Sequence, residues 1–441
     1  MTFTRRSTGA LDEREGAAVN RLIKLNLYHI FREELDMPQA LWGILHGVRP
    51  TKIVHRWIRG GMGEEAIIER LQQDYACSEG KARVIVPMAF RQLPFLAQSD
   101  EKTVSVYIGI PFCLTRCLYC SFPSNILPGK KRVQEFLAVL QKDLLAAKDA
   151  IEHYGFCVQN IYVGGGTPTS LPDEAFAEML NMVYNAFYGP SIVEFTVEAG
   201  RPDCTDAEKL AVIKEYGATR ISINPQTFSD EVLAGIGRRH SAQDILDCYA
   251  DARRAGHEDI NMDLIAGLPG DTVAGFEHSL RQAIALDPEN ITVHTLTLKR
   301  ASRIVIEDQK ENDYADVAAM LEKCQLLADA GYRPYYLYRQ KNTLQNLENV
   351  GWCKPGYECL YNIYIMEEVH TILSAGAGGS TKLVAPGARH GKIERIFNYK
   401  YPTEYIDRFD TILARKEGVK QFYDQYPSCG ESARPQAHGG V

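Results

Sequence analysis

The chain has 441 residues, which at roughly 150 residues per domain suggests two or three domains, or one large α/β domain with additions. Lys and Arg number 49 against 56 Asp and Glu, a net charge of −7 that leaves no basic footprint for nucleic acid; 45% apolar and 24% charged residues exclude disordered, collagen-like and coiled-coil classes. No apolar run approaches the roughly 18 residues that span a bilayer, and the polar stretch 1–16 lacks the apolar stretch of a secretory signal, so a cytoplasmic address is expected.

Residues 1–100 read as a charged, helical accessory region, with apolar spacing at 20–28, 64–71 and 81–93 and no chemical constellation. From Thr103 the texture changes to short β-branched runs alternating with amphipathic stretches, the pattern of repeated βα units. Strands are predicted over 104–110, 160–163, 193–197, 219–223, 260–265 and 291–296. Between the first two, Val133, Phe136, Leu140, Leu144, Ala147 and Ile151 recur at three- and four-residue steps and share a helical face. Six such units within 101–300 imply a parallel sheet, either doubly wound or curved into an incomplete barrel. The part from 301 to 425 is mixed, with a helix predicted over 315–330, an aromatic strand over 335–338 and a glycine-rich stretch at 374–380; residues 426–441 read as a flexible tail.

In a parallel α/β architecture, functional groups gather at the carboxyl ends of the strands. All six units place polar residues there: Cys113, Cys117 and Cys120 after the first, Gly164-Gly-Gly-Thr-Pro168 after the second, Glu198 ending the third. Asn224-Pro-Gln226 ends the fourth, Asp263 and the Gly267-Leu-Pro-Gly270 run belong to the fifth, and His294 and Thr297 to the sixth. Eleven cysteines, an odd count, make a disulfide framework a poor expectation and favour metal or redox chemistry. Three thiolates spaced three and then two residues apart suit a metal centre, either zinc or an iron–sulfur cluster. A closed zinc site needs a fourth ligand, which His153 or Cys157 could supply by folding. The triple glycine fits neither the dinucleotide fingerprint nor the phosphate-binding loop, and its place after an apolar strand suggests a backbone approached closely by a ligand. Arg238, Arg239 and His240 are equally compatible with a surface helix end, and a lone His294 with a core histidine.

The segment Tyr107-Ile-Gly-Ile-Pro-Phe-Cys113, with Cys117 and Cys120, resembles the CxxxCxxC loop of radical S-adenosylmethionine (SAM) enzymes, and more narrowly the oxygen-independent coproporphyrinogen III oxidase family. Gly164-Gly-Gly-Thr-Pro-Thr169, Asn224-Pro-Gln-Thr-Phe228, Gly237-Arg-Arg-His240 and Asp263-Leu-Ile-Ala-Gly-Leu-Pro269 follow in the family's order. The stretch 339–351, with Lys354-Pro-Gly356 and 362–368, looks like the HemZ-type branch of coproporphyrinogen dehydrogenases. The resemblance implies a partial (β/α)6 radical SAM barrel with a helical N-terminal region and a mixed, substrate-side C-terminal extension. It implies that Cys113, Cys117 and Cys120 hold a [4Fe–4S] cluster whose open iron binds SAM. Gly165, Gly166 and Thr167 would contact the methionyl part; Tyr107 and Tyr119 match positions beside the cofactor, and Glu198, Gln226, Arg238 and Asp263 its polar contacts. The implied reaction is radical decarboxylation of coproporphyrinogen III propionates to vinyl groups, giving protoporphyrinogen IX, with electrons from a donor such as flavodoxin or ferredoxin.

A tetracarboxylate substrate calls for cations, and Lys299, Arg300, Arg303, Arg339, Lys341 and Lys382 lie on segments that could reach it. Two positions depart from the oxidase pattern: Phe122 stands where a fourth cysteine is usual, and Gly109 where a histidine is usual. A sister branch of haem chaperones carries a His-Asn-x-x-Tyr-Trp-like motif, which Tyr361-Asn362-Ile-Tyr-Ile-Met366 replaces. A haem chaperone on this scaffold, a radical SAM enzyme acting on another substrate, and a zinc-stabilised protein without catalysis are the competing expectations.

Overall fold

The computed structural model describes residues 15–120, 124–299, 302–306, 316–387 and 391–426; Phe122, Arg300 and the tail beyond 426 lie outside them. Thirteen strands occur among the described residues: β1 (Thr103–Ile110), β2 (Phe112–Cys113), β3 (Asn125–Ile126), β4 (Cys157–Gly165), β5 (Glu194–Glu198), β6 (Arg220–Ser222), β7 (Ile260–Ala266), β8 (Asn290–Thr295), β9 (Arg333–Arg339), β10 (Glu348–Cys353), β11 (Thr371–Gly376), β12 (Ser380–Val384) and β13 (Ile393–Phe397). All but the small β2–β3 pair belong to one sheet, in the order β13-β12-β11-β1-β4-β5-β6-β7-β8-β10-β9. The six predicted strands are β1, β4, β5, β6, β7 and β8, each parallel to its neighbour. This is the partial (β/α)6 architecture expected from the alternating texture.

The sheet is wider than six strands. β11 pairs parallel with β1, Val104 opposite Thr371 and Gly109 opposite Gly376, while β12 and β13 on one edge and β10 and β9 on the other run antiparallel. The C-terminal chain therefore extends both sides of the central unit.

Helices α1 (Glu15–Glu34), α2 (Thr51–Arg59), α3 (Glu64–Tyr75) and α4 (Glu79–Gln98) form the N-terminal region. The second was not marked by apolar spacing, because its buried face includes Thr51 and His55 beside Val54 and Trp57. Six helices follow within the central unit: α5 (Lys130–Tyr154), α6 (Asp173–Phe187), α7 (Ala207–Glu215), α8 (Asp230–Gly235), α9 (Ala242–Arg254) and α10 (Val273–Leu286). All six apolar positions predicted to share a face on α5 are buried, and the helix ends at Gly155, whose left-handed φ of +59° lets its N–H reach back to the Ile151 and Glu152 carbonyls. On α9 a reciprocal cap between Ser241 and Asp244 sets the start.

The remaining helices are α11 (Arg303–Ile306), α12 (Val317–Glu322), α13 (Gln325–Asp329), α14 (Leu360–Glu367), α15 (Pro402–Asp407) and α16 (Phe409–Gln425). The single helix predicted over 315–330 is two short ones. At the break the Lys323, Cys324 and Leu326 amides bond three residues back rather than four, tightening the turn.

Helix α14 packs against β4 and β9 rather than among the helices around the rim. Glu194, at the start of β5, accepts the Leu360 and Tyr361 amides at 2.8 and 3.1 Å, an acid placed at a helix N-terminus. Tyr361 then stacks on Tyr162 of β4, ring centres 4.5 Å apart, and Tyr162 on Tyr107 of β1 at 6.0 Å. The N-terminal helices are fastened to this assembly through buried polar contacts. Gln92 donates to the Tyr335 carbonyl at 2.9 Å, Thr51 to Glu367 at 2.7 Å and Trp42 to Glu348 at 2.7 Å.

Candidate functional site

A cavity of about 710 Å³ opens at the carboxyl ends of the parallel strands. Every residue expected to hold the cluster or SAM lines it: Cys113, Cys117 and Cys120, Tyr107 and Tyr119, Gly165, Gly166 and Thr167, and Glu198, Gln226, Arg238 and Asp263. Thr297 and His294 line it too; the latter is not a core histidine, its Nδ1 lying 3.3 Å from the Tyr338 hydroxyl and its Nε2 3.5 Å from Asp263 Oδ2.

The cysteine loop is fixed mainly by backbone bonds. The Leu118 amide donates to the Ile236 carbonyl at 2.9 Å and the Leu127 amide to the Cys113 carbonyl at 3.0 Å, while the Gly166 and Thr167 amides donate to Ile110 and Phe112 at 2.7 Å. The triple glycine admits two close neighbours. A Cβ on Gly166 would stand 2.6 Å from the Phe112 oxygen and 3.1 Å from Cys113 Sγ, and one on Gly164 would meet the Glu198 carboxyl at 2.7 Å. Thr167 completes the contact, its hydroxyl 3.4 Å from Cys113 Sγ.

Glu198 ends β5 at the cavity wall, accepting the Tyr162 hydroxyl at 2.8 Å and the Gly165 amide at 3.2 Å. Burial raises its pKa to about 7, and the nearby Asp263 carboxylate adds to the rise against those two hydrogen bonds. Gln226 follows Pro225, which has no amide to continue the ladder. It holds a left-handed φ of +69° and rejoins the sheet through its amide to the Asp263 carbonyl at 2.8 Å and its carbonyl from the Ile265 amide at 2.9 Å. Arg238 is buried, donating to the Asn224 carbonyl at 2.6 Å and to the Tyr119 hydroxyl at 3.2 Å. His240 is buried with it and Arg239 is exposed, so this segment is not a surface helix end.

Sequence reasoning missed Arg201. Its guanidinium, 3% exposed, forks onto Asp203 at 2.9 and 2.6 Å, donates to the Thr115 carbonyl and hydroxyl at 2.9 Å, and lies 3.9 Å from Cys117 Sγ. Its position three residues beyond Glu198, at the same strand end, was the available signal. Also missed were Arg49 and Arg395, which line the cavity from outside the central unit.

Of the proposed cations, Lys299 and Lys382 line the cavity, and Arg303, Arg339 and Lys341 do not. Arg339 is turned into the N-terminal region instead, donating to the Leu45 carbonyl at 2.6 Å and lying over the Trp42 ring. Gly109 has an internal reason: a Cβ there would stand 2.8 Å from the Ala377 carbonyl, so the turn after β11 occupies the space a histidine side chain needs.

The donor set suits an iron–sulfur cluster. Three thiols of one loop face one cavity beside a backbone cradle that a Cβ would fill. Among the described residues no group of three or more His, Cys, Asp and Glu side chains forms a ready metal cage. Cys157 opens β4, whose last residue, Gly165, directly precedes the Gly166 that faces Cys113, so Cys157 stands at the far end of the strand and cannot complete a zinc site.

A parallel sheet whose first strand leads into a three-cysteine loop defines a radical SAM fold, and residues 107–283 match the radical SAM superfamily. The chain is 43% identical over 387 residues to the oxygen-independent coproporphyrinogen-III oxidase-like protein HemZ of Bacillus subtilis, covering 85% of this chain and 76% of that protein. It is 39% identical over 337 residues to the heme chaperone HemW of the same organism, covering 75% of this chain and 85% of that one, and 30% identical over 304 residues to Escherichia coli HemW, covering 69% and 75%. The coproporphyrinogen III oxidase HemN from Escherichia coli, a radical SAM enzyme, shares the fold with a TM-score of 0.58 at 21% identity, over 73% of this chain and 72% of that one. The chain belongs to the radical SAM superfamily, within its oxygen-independent coproporphyrinogen III oxidase-like family of the HemZ type. That superfamily implies a [4Fe–4S] cluster and SAM. No helix among the described residues is long and apolar enough to cross a membrane.

Proposed function

We propose that the protein is an oxygen-independent coproporphyrinogen dehydrogenase, which converts propionate side chains of coproporphyrinogen III to vinyl groups in porphyrin biosynthesis. The observation that carries the reading is one cavity that joins the three cysteines, the polar strand ends and a set of cations. When bound, the cluster and SAM supply one-electron chemistry that ends in abstraction of a hydrogen atom from the substrate. Cys113, Cys117 and Cys120 would hold the cluster, with Arg201 and Arg238 keeping the loop in place. Gly165, Gly166, Thr167, Tyr107, Tyr119, Glu198, Gln226, Arg238 and Asp263 would seat SAM. Holding the reacting groups together while excluding water and oxygen is the protein's contribution. An electron donor of the flavodoxin or ferredoxin kind and a cytoplasmic address complete the proposal.

Anaerobically reconstituted protein, given a reductant, SAM and coproporphyrinogen III, is expected to release 5′-deoxyadenosine and carbon dioxide and to yield protoporphyrinogen IX, identified by mass. SAM cleavage by fully loaded protein with no decarboxylation would overturn the substrate assignment.

The identity to HemW proteins favours a second reading, haem carriage on the same scaffold. Against it, His294 is the one histidine among the described cavity-lining residues, and both its ring nitrogens are already engaged. Stable one-to-one haem binding without porphyrinogen turnover would decide for the carrier.

A further inference from the structure

One wall of the cavity carries positive charge that the central unit does not account for. Lys382 on β12 stands directly opposite Arg395 on β13 in the antiparallel ladder, and both line the cavity together with Arg49, which precedes α2. Like charges directly opposite on a sheet face destabilise the pair. Glu368, just past α14, is the acid among them: its carboxylate binds the Arg49 guanidinium, the Lys52 ammonium at 2.5 Å and the Arg395 guanidinium at 3.0 Å. Three cations are thus paired with one carboxylate, and Lys382 stands beside them without a contact to it. The neighbouring Glu367 is turned the other way, accepting from Thr51 at 2.7 Å and lying 3.6 Å from His55.

Lys382 is 5% exposed and sends its ammonium to a neutral partner, the Ile365 carbonyl at 2.9 Å. A buried ammonium without its own counter-ion is costly. Burial, with Arg49, Arg395 and Lys52 nearby and only Glu368 opposing them, draws its pKa down to about 7. A folded chain that keeps two cations face to face, with a third brought from some 330 residues earlier in the sequence, has built a place for an anion.

We propose that Arg49, Lys382 and Arg395 form a carboxylate-binding subsite, made jointly by the N-terminal region and the C-terminal strands, which takes a propionate of the tetrapyrrole. The inference rests on the coproporphyrinogen reading and names the residues that hold one of its carboxylates. An arriving carboxylate shares the Arg49 and Arg395 guanidiniums with Glu368, through the N–H groups each has beyond that contact, and supplies Lys382 with the counter-ion it lacks.

The test is titration of anaerobically reconstituted, SAM-loaded protein with coproporphyrin III, its tetramethyl ester and haem, followed by porphyrin absorbance. Arg395→Gln and Arg49→Gln are expected to weaken coproporphyrin III binding at least about tenfold, the loss of a hydrogen bond between charged groups. The ester is expected to bind wild type and variants alike. Lys52→Gln, which shares Glu368 but does not line the cavity, is expected to stay within about twofold. The Arg395 side chain is 42% exposed, so its variant tests the subsite even if substitution of the buried Lys382 disturbs folding. Wild-type binding unchanged in both arginine variants would overturn the subsite while leaving the substrate reading intact. Absence of coproporphyrin III binding to loaded wild type would overturn the substrate reading itself and the subsite with it. Arginine dependence seen with haem and not with coproporphyrin III would assign the carboxylate to haem and overturn the proposal as stated.

Discussion

Gly109 on β1 and Gly376 on β11 lie side by side in parallel register, and a Cβ on Gly376 would overlap the backbone of Gly109. Gly376 also holds a φ of +90°, a conformation that L side chains rarely adopt. Its amide is held by Asp143 of α5, a fully buried carboxylate that also accepts from Asn398 and Tyr405 and is paired with Lys416. The turn that follows lines the cavity through Ala377 and Gly378.

Gly376→Ala is therefore expected to destabilise the fold by about 1–3 kcal/mol, through overlap added to backbone strain, and to lower the thermal midpoint by several degrees. Gly109→His, which introduces the residue usual in the oxidase pattern, is expected to act in the same direction by displacing the Ala377 carbonyl. Calorimetry on the purified variants checks both; unchanged midpoints would mean that β11 does not sit against β1.

Cys117→Ala is expected to abolish cluster assembly, whereas Cys248→Ala is expected to keep it. Cys248 is buried on α9, its thiol 3.9 Å from the Thr205 carbonyl, and it does not line the cavity. Iron analysis and electron paramagnetic resonance after anaerobic reconstitution separate the two; equal loss would show the ligands to be misassigned.

Arg201→Gln leaves Asp203 without its fork partner beside the cysteine loop. Burial pushes the Asp203 pKa up, but the His240 and Arg201 contacts outweigh it and hold the carboxyl well below its usual range. Removing one member of a buried pair costs about 3–5 kcal/mol. The variant is expected to lose thermal stability and to retain less iron after gel filtration than wild type, with Arg201→Lys intermediate because it keeps the charge and not the fork.

Glu198 holds its proton to about pH 7, whereas an ordinary glutamate releases it near 4.5. Between those values the folded chain binds the extra proton, so stability falls as pH rises. The contribution is complete below about pH 4.5 and is lost as pH passes through 7, on the order of 3 kcal/mol over the window. Glu198→Gln has no proton to lose, so denaturant midpoints taken at pH 5 and pH 8 are expected to differ less for the variant than for wild-type apoprotein. Equal pH dependence in both proteins would place the titration elsewhere.

The central unit was legible because period-two β-branched runs and three-to-four-residue apolar spacing report burial directly, as at Val104 to Ile110 and along α5. The site was legible for a related reason: Cys113, Glu198 and Asp263 interrupt or end apolar strands, where a polar side chain needs a partner. What stayed hidden depends on long-range pairing. Nothing local in Thr371 to Gly376 marks it as a neighbour of β1, and Arg339 and Arg395 look alike as sequence. One is turned into the N-terminal helices and the other faces the cavity. Helix α2 escaped because polar Thr51 and His55 share its buried side, which breaks the apolar rhythm.

The insertion of β11 beside β1 also bears on how the chain is made. Val104 is paired with Thr371, a partner synthesised about 267 residues later. Until then β1, apolar on the face of Val104, Val106, Ile108 and Ile110 and largely buried on both in the finished fold, has β4 on one side and an unpaired backbone on the other. Such an edge invites pairing with another nascent chain, and closing so distant a contact is slow. A strand that arrives late thus guards the first, and chains cut short before residue 371 are expected to aggregate rather than to accumulate as a working six-unit fragment.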